Sequence, residues 1–322
     1  MALVHHADAP AIGSAGAQRF LVRFDALLAN VAGVVVAPER TIRLALLGLF
    51  AQGHVLLEDR PGVGKTLLAK SIAQSIDGRF TRVQFTPDLL PSDITGSSIF
   101  DPRTSTFEFL PGPVFTNVLL ADELNRANPR TQSALLEAMA ESQVTTDGES
   151  RPLPRPFMVI ATQNSMDSSG TFPLPDTELD RFLARISLGP PTAEAEMEII
   201  RRAEHGEPSV SPVLTVSDVL AMQDVVREVQ VAVPVREYVV ALAGALRAHP
   251  SVRGGMSPRG TVLLIRAAQG WAACHGRDYV APEDVQAVAE VVLAHRIQAA
   301  EHQAGAAEAI VIEVLRRVPV PV

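Results

Sequence analysis

The sequence predicts an α/β fold, with a parallel five-stranded sheet between layers of helices and a smaller all-α domain behind it. Three features predict this. Short apolar runs take turns with helical stretches, and several of these runs lack alternation, as expected of strands covered on both faces. The first run ends in a glycine turn that opens a helix. Beyond Gly189-Pro190-Pro191 the pattern becomes helical throughout.

Taken in order, Met1–Ala15 is rich in Ala, Gly and His and is expected to fray, giving a disordered tail over residues 1–16. Helical patterns follow at Ala17–Asn30 and Pro38–Gln52, the second with proline near its first turn. The strand candidates are Val55–Leu57, Arg82–Phe85, Val118–Ala121, Phe157–Thr162 and Arg185–Leu188. Two hairpins are expected between them. One joins Ser97–Phe100 to Thr106–Phe109, and the other spans Gln143–Leu153 around Asp147-Gly148, a favourable turn pair. Helical patterns at Ala193–Ala203, Ser217–Glu228, Val235–His249, Pro258–His275 and Pro282–Gln298 complete the chain. The core is thus placed at residues 17–204 and the helical domain at residues 205–322.

Hydrophobic residues make up 47% of the chain and charged residues 20%, a globular balance rather than a disordered one. The formal charge of −8 argues against general binding to nucleic acid or anionic membranes. The single Cys274 excludes an internal disulfide framework and a cysteine zinc cluster, and its small neighbours suggest a buried structural thiol. Apolar runs such as Leu44–Ala51 fall short of the roughly 20 residues a membrane helix needs. The start of the chain lacks a basic segment followed by a long apolar stretch, so no secretory leader is expected and the location is read as cytoplasmic.

The chemistry begins after Val55–Leu57. Arg60-Pro61-Gly62-Val63-Gly64-Lys65-Thr66, with Leu67 following, is a glycine turn between a strand and a helix. Such a turn aims backbone N–H groups and the helix dipole at one point, where an anion binds. Gly62 and Gly64 let the backbone approach phosphate, Lys65 can reach the β- and γ-phosphates, and the Thr66 hydroxyl can ligate Mg²⁺. This is an ATP and magnesium site by pattern. The full spacing G-x-x-x-x-G-K-[ST] places glycine at position 59, where this chain has Asp59. Aspartate tolerates a tight turn, but its carboxylate must then point away from phosphate. A chance glycine-lysine turn is the alternative, and the strand before and helix after it argue against that.

Val118–Ala121 runs directly into Asp122-Glu123. Ligand sites of parallel sheets lie at the carboxyl ends of the strands, which places this acidic pair beside the glycine turn. Asp122 would hold the magnesium shell and Glu123 would polarise the attacking water as general base. Without the glycine turn, an acidic pair after an apolar run would more often be a solvated strand end.

With these motifs in order, the chain resembles the AAA+ ATPases and, within them, the MoxR group. The likeness spans about Val34 to Arg296. It is carried by Gly53–Glu58, Pro61–Thr66, Asp122–Ala127, Thr131–Met139, Ala161–Asn164 and Leu174–Phe182. The resemblance implies an AAA+ P-loop NTPase αβα core with a helical lid. It implies further roles: Asn164 as a sensor of the γ-phosphate, Arg181 as the arginine finger reaching a neighbouring subunit's ATP, and Arg259, in Gly255–Arg259, as a lid residue facing the γ-phosphate. Bland alternatives stand beside each: a turn-forming Asn, an ion pair of Arg181 with Glu178 or Asp180, and a surface Arg at a helix start. Arg126 is a further candidate for reading a neighbour's nucleotide. Ser165 stands where the group usually has proline, and Val36-Ala37 where it often has Gly-Gln, so no adenine contact is assigned.

The resemblance further implies a homo-oligomeric ring, expected to be a hexamer, that remodels partner proteins, with von Willebrand factor A domain proteins as expected partners. Two other readings share the motifs: a metal-chelatase motor subunit and a DNA-acting relative. The acidic balance and an aromatic content of 5% weigh against the second. A small-molecule kinase would leave the helical domain and Arg181 unexplained.

Overall fold

The computed structural model describes residues 13–59, 62–163, 170–205, 210–300 and 305–321. The chain divides into two units. One runs from Ala26 to Leu220, and the other joins the chain up to Asp25 with everything from Ala221 onward.

The larger unit takes up the chain within α1 (Ser14–Ala32), then α2 (Glu39–Phe50), β1 (Val55–Glu58), α3 (Lys65–Ser75), β2 (Phe80–Gln84) and α4 (Pro91–Thr95). The hairpin β3 (Gly96–Asp101) and β4 (Thr106–Pro111) follows, then β5 (Val118–Asp122) and α5 (Pro129–Glu141). A second hairpin, β6 (Gln143–Thr146) and β7 (Glu149–Pro152), precedes β8 (Met158–Gln163), α6 (Asp176–Leu179), β9 (Ala184–Ile186), α7 (Ala193–His205) and the first turn of α8 (Val216–Glu228), whose remainder belongs to the other unit. α1 starts at Ser14, inside the expected tail, whose residues 1–12 lie outside the described ones.

The five main strands form a parallel sheet in the order β2-β5-β8-β1-β9. β1 and β8 read as apolar runs because helices cover both faces; their apolar residues are fully buried. β2 is an edge strand, half-exposed along its length, and carries Arg82 and Gln84. One face packs Leu56, Leu119, Ala121, Val159 and Ala161 against Leu135, Leu136 and Met139 of α5. On α2, a Cβ at Gly48 would lie 2.6 Å from Val55 Cγ2 and 2.9 Å from the Met158 side chain. Glycine there sets how closely the helix approaches the sheet. Both expected hairpins form, and Asp147 and Gly148 take φ of 56° and 79°, the left-handed pair that a tight hairpin turn needs.

The helical unit contains α9 (Val233–Arg247), β10 (Val252–Gly254), α10 (Pro258–Ala273), α11 (Pro282–Leu293), β11 (Gln298–Ala299) and α12 (Ala306–Arg317). Ser257 caps α10, accepting from Gly260 N at 3.2 Å. Ala281 offers α11 no polar cap, and Asp284 supplies part of what is missing by accepting from Ala281 N at 2.8 Å. The reading that ran α11 on to Gln298 is corrected. The helix stops at Leu293, because Gln298 and Ala299 pair antiparallel with Gly254 and Val252. Cys274 is buried and in no disulfide, as expected. Among the described residues no helix is long and apolar enough to cross a membrane.

His54 links the sheet to α5. Its Nδ1 accepts from Val159 N at 3.0 Å, so Nε2 carries the proton and donates to Met139 O at 3.1 Å. This neutral tautomer is buried, and burial lowers its pKa from 6.5 to about 4, against the raising effect of the Met139 hydrogen bond. As pH falls below 6.5 the unfolded chain takes up a proton that the folded chain refuses until about 4. Stability should therefore fall progressively across that window, by about 3 kcal/mol from this group. Urea denaturation at a series of pH values checks this. His54→Leu should flatten the slope while lowering the midpoint at pH 7, since it leaves the Val159 N–H and Met139 C=O unpaired.

Candidate functional site

At β1 the strand order reverses, with β8 on one side and β9 on the other, and the crevice at its carboxyl end is where such sheets bind ligands. Gly62 (φ 86°) and Gly64 (φ 93°) are both left-handed, and Gly64 is the N-cap of α3. A Cβ at either would meet nothing within 4 Å, so the need for glycine is conformational rather than one of space. Lys65 and Thr66 open α3 and are half-buried. Lys65 Nζ donates to Asp59 O at 2.8 Å. Partial burial pulls the ammonium below the ordinary lysine range, while the charges of Asp59, Asp122 and Glu123 oppose the shift. A helix N-terminus, two left-handed glycines and one half-buried ammonium make a donor set suited to phosphate oxygens. Arg60 and Pro61 of the turn lie outside the described residues.

The acidic pair is held by neighbouring strands. Thr162 Oγ1, at the end of β8, donates to Asp122 Oδ1 at 2.7 Å, and Arg82 Nη2 of β2 donates to Asp122 Oδ2 at 2.7 Å. The same Thr162 hydroxyl accepts from Glu123 N at 2.8 Å. Glu123 sits in the left-handed region at φ 56°, a strained conformation for a side chain of this kind. Its Oε2 accepts from Gln84 Nε2 at 2.9 Å and pairs with Arg126 Nε at 2.8 Å. The turn after it is fixed by buried Gln132, whose Nε2 donates to the carbonyls of Leu124, Ala127 and Phe172.

The other sequence candidates divide. Asn164 lies outside the described residues. Arg181 follows α6; its Nε is buried without a hydrogen-bond partner, and among the described residues no ion pair joins it to Glu178 or Asp180. Arg126 pairs within its own chain with Glu123. Arg259 is exposed in the first turn of α10, in the helical unit.

Sequence reasoning missed Arg82, Gln84 and Thr162. Their signal was faint: polar residues spaced by two on a strand running toward the acidic pair, and a threonine closing an apolar run. It also left unassigned a cavity of about 290 Å³ beside the glycine turn. Gly62 and Val63 form one side of it, and Val36-Ala37-Pro38, Leu188–Thr192 and Ala195 and Ile199 of α7 form the rest. Asp59, the departure from the full glycine pattern, is buried, and its carboxylate turns away from the glycine turn to accept from Leu188 N at 2.8 Å.

Residues 54–184 match the model of the ATPase family associated with various cellular activities (AAA), and residues 244–314 match the AAA lid domain. The Bacillus subtilis (strain 168) protein YeaC, an uncharacterized protein, is 46% identical over 294 residues, covering 90% of this chain and 92% of that one. Chaperone MoxR1 of Mycobacterium tuberculosis is 40% identical over 300 residues, covering 90% of this chain and 79% of its own length. A crystal structure of a candidate ATPase from Cytophaga hutchinsonii superposes with a TM-score of 0.87 at 36% identity, covering 96% of this chain and 98% of that one.

Thr162 ties Asp122 to the backbone of Glu123 through one buried hydroxyl. Thr162→Val keeps the shape and removes both bonds, and should cost about 2 kcal/mol. A urea midpoint unmoved by the substitution would show that the hydroxyl contributes nothing.

Proposed function

This chain belongs to the MoxR family of AAA+ ATPases, and we propose that it hydrolyses ATP with magnesium as one subunit of a ring that remodels partner proteins. One observation carries the reading. β1 and β5 bring the Gly62–Thr66 turn and the Asp122-Glu123 pair to one edge of the sheet, close enough that the Lys65 ammonium feels both carboxylates.

In this reading the triphosphate lies against the N-terminus of α3, with Lys65 exchanging the Asp59 carbonyl for the β- and γ-phosphates. The 290 Å³ cavity beside the turn takes the base and ribose. Thr66 and Asp122 would hold magnesium, which supplies neutralisation of the phosphate charge. Asp122 already faces a cation, Arg82, so its geometry suits a charged partner. Glu123 takes the proton of the attacking water once its carboxylate leaves Gln84 and Arg126. Asn164 orients that water, and Arg259 reports the nucleotide to the lid. Arg181 stabilises the charge that develops in a neighbour's site, a role that follows from its place in the family motif Leu174–Phe182.

A ring follows from that division of labour, since a finger supplied by a neighbour leaves an isolated subunit incomplete. A hexamer, and a von Willebrand factor A domain protein as partner, rest on the family alone. The name of the mycobacterial relative supports chaperone work as the purpose of turnover.

Two measurements test this. Glu123→Gln should retain ATP binding and lose phosphate release by a factor of about 10² or more; unchanged turnover would remove Glu123 as the base. Mixing Arg181→Ala with Glu123→Gln subunits should restore part of the activity each lacks alone. Mixtures no more active than either variant would place Arg181 outside the reaction.

A further inference from the structure

We infer that Asp59 is a positioning residue that sets the wall of the nucleoside cavity against the phosphate loop. The inference rests on the nucleotide reading given above and adds a determinant of which part of the nucleotide is held. The phosphate-loop pattern has glycine at this position, yet Asp59 does not adopt a left-handed backbone, so no conformational need for glycine exists here. Asp59 is only 7% exposed, and a buried carboxylate must be matched by donors. Three supply the match. Asp59 Oδ1 accepts from Ser187 Oγ at 2.6 Å and Gly189 N at 3.2 Å, and Oδ2 accepts from Leu188 N at 2.8 Å.

These donors belong to the segment that leaves β9 and lines the cavity. β9 ends at Ile186, so the amides that follow have lost their sheet partners. Pro190 and Pro191 have no N–H; of the amides just before them, Leu188 N goes to Asp59, and Gly189 N is shared between Asp59 Oδ1 and Ser187 Oγ, which lies at 3.0 Å and itself donates to Asp59. Gly189 is left-handed at φ 74°, turning the chain into the two prolines that also line the cavity. On its other side, the Asp59 carbonyl receives Lys65 Nζ at 2.8 Å. One residue therefore holds the cavity wall through its side chain and touches the phosphate-binding lysine through its main chain. Its negative charge lies near Lys65, so it cannot itself favour an anion there. What it contributes is the distance between the two halves of the site.

The division predicts selectivity rather than a general loss. With the nucleotide-free full chain, Asp59→Asn should weaken ADP binding about tenfold, the worth of one charge-assisted hydrogen bond. Binding of inorganic tripolyphosphate should hold steady or tighten, because a repelling charge is removed. Ser187→Ala, which deletes one of the three donors at an exposed site, should shift the same ratio in the same direction by about threefold, and it guards against a misfolded Asp59 variant. Calorimetry with both probes on all three proteins decides it. ADP affinity unchanged in both variants, or equal losses for ADP and tripolyphosphate, would overturn the inference. Failure of the unsubstituted chain to bind either probe would instead overturn the nucleotide reading itself.

Discussion

Two strands of a parallel sheet, β1 and β5, deliver Glu58, Asp59, Asp122 and Glu123 to the same edge, and the local structure depends on matching those four carboxylates. Left together without partners they would repel one another in a partly dry crevice. Their matches come from β2, β9, the exit from β9 and the turn after β5. Glu58 pairs with Arg185 of β9 at 3.3 Å, Asp59 takes the amides after β9, Asp122 takes Arg82 of β2, and Glu123 takes Arg126 and Gln84. Lys65 sits among three of them. The matching thus ties the edge strands, the glycine turn and the exit from the sheet into one electrostatic unit.

The same matching shapes the chemistry the site can perform. Glu123 is held by a cation and an amide and sits on a strained backbone, so its carboxylate is committed to partners within its own chain. Asp122 is oriented by Thr162 and neutralised by Arg82, and the Thr162 hydroxyl also fixes the Glu123 amide. Neighbouring residues of one turn are therefore coupled through one buried side chain. A change in what occupies the edge would be felt by all of them, since low-dielectric surroundings strengthen each interaction.

Much of this was legible in the chain. The glycine turn between strand and helix, the acidic pair closing a buried strand and the Asp147-Gly148 hairpin are local patterns, and each sits where the pattern put it. The ends of elements were less legible. α11 stops at Leu293 because a two-residue ladder with β10 claims the chain beyond it, and no local propensity announces a partner more than forty residues away. α12, at Ala306–Arg317, went unread for lack of a bounded pattern before it.

By itself, then, the sequence determined the class of fold and the positions of the glycine turn and the acidic pair, because strand, turn and helix periodicities are short-range properties. It also flagged Asp59 as a departure whose carboxylate had to turn away from phosphate. Only the tertiary structure decided where that carboxylate goes, to amides nearly 130 positions later in the chain. It likewise decided that Arg82, Gln84 and Thr162 restrain the acidic pair. The reason is physical. The lateral order β2-β5-β8-β1-β9 is set by which faces helices can bury, and the partners of each charged side chain follow from that order rather than from its neighbours in sequence.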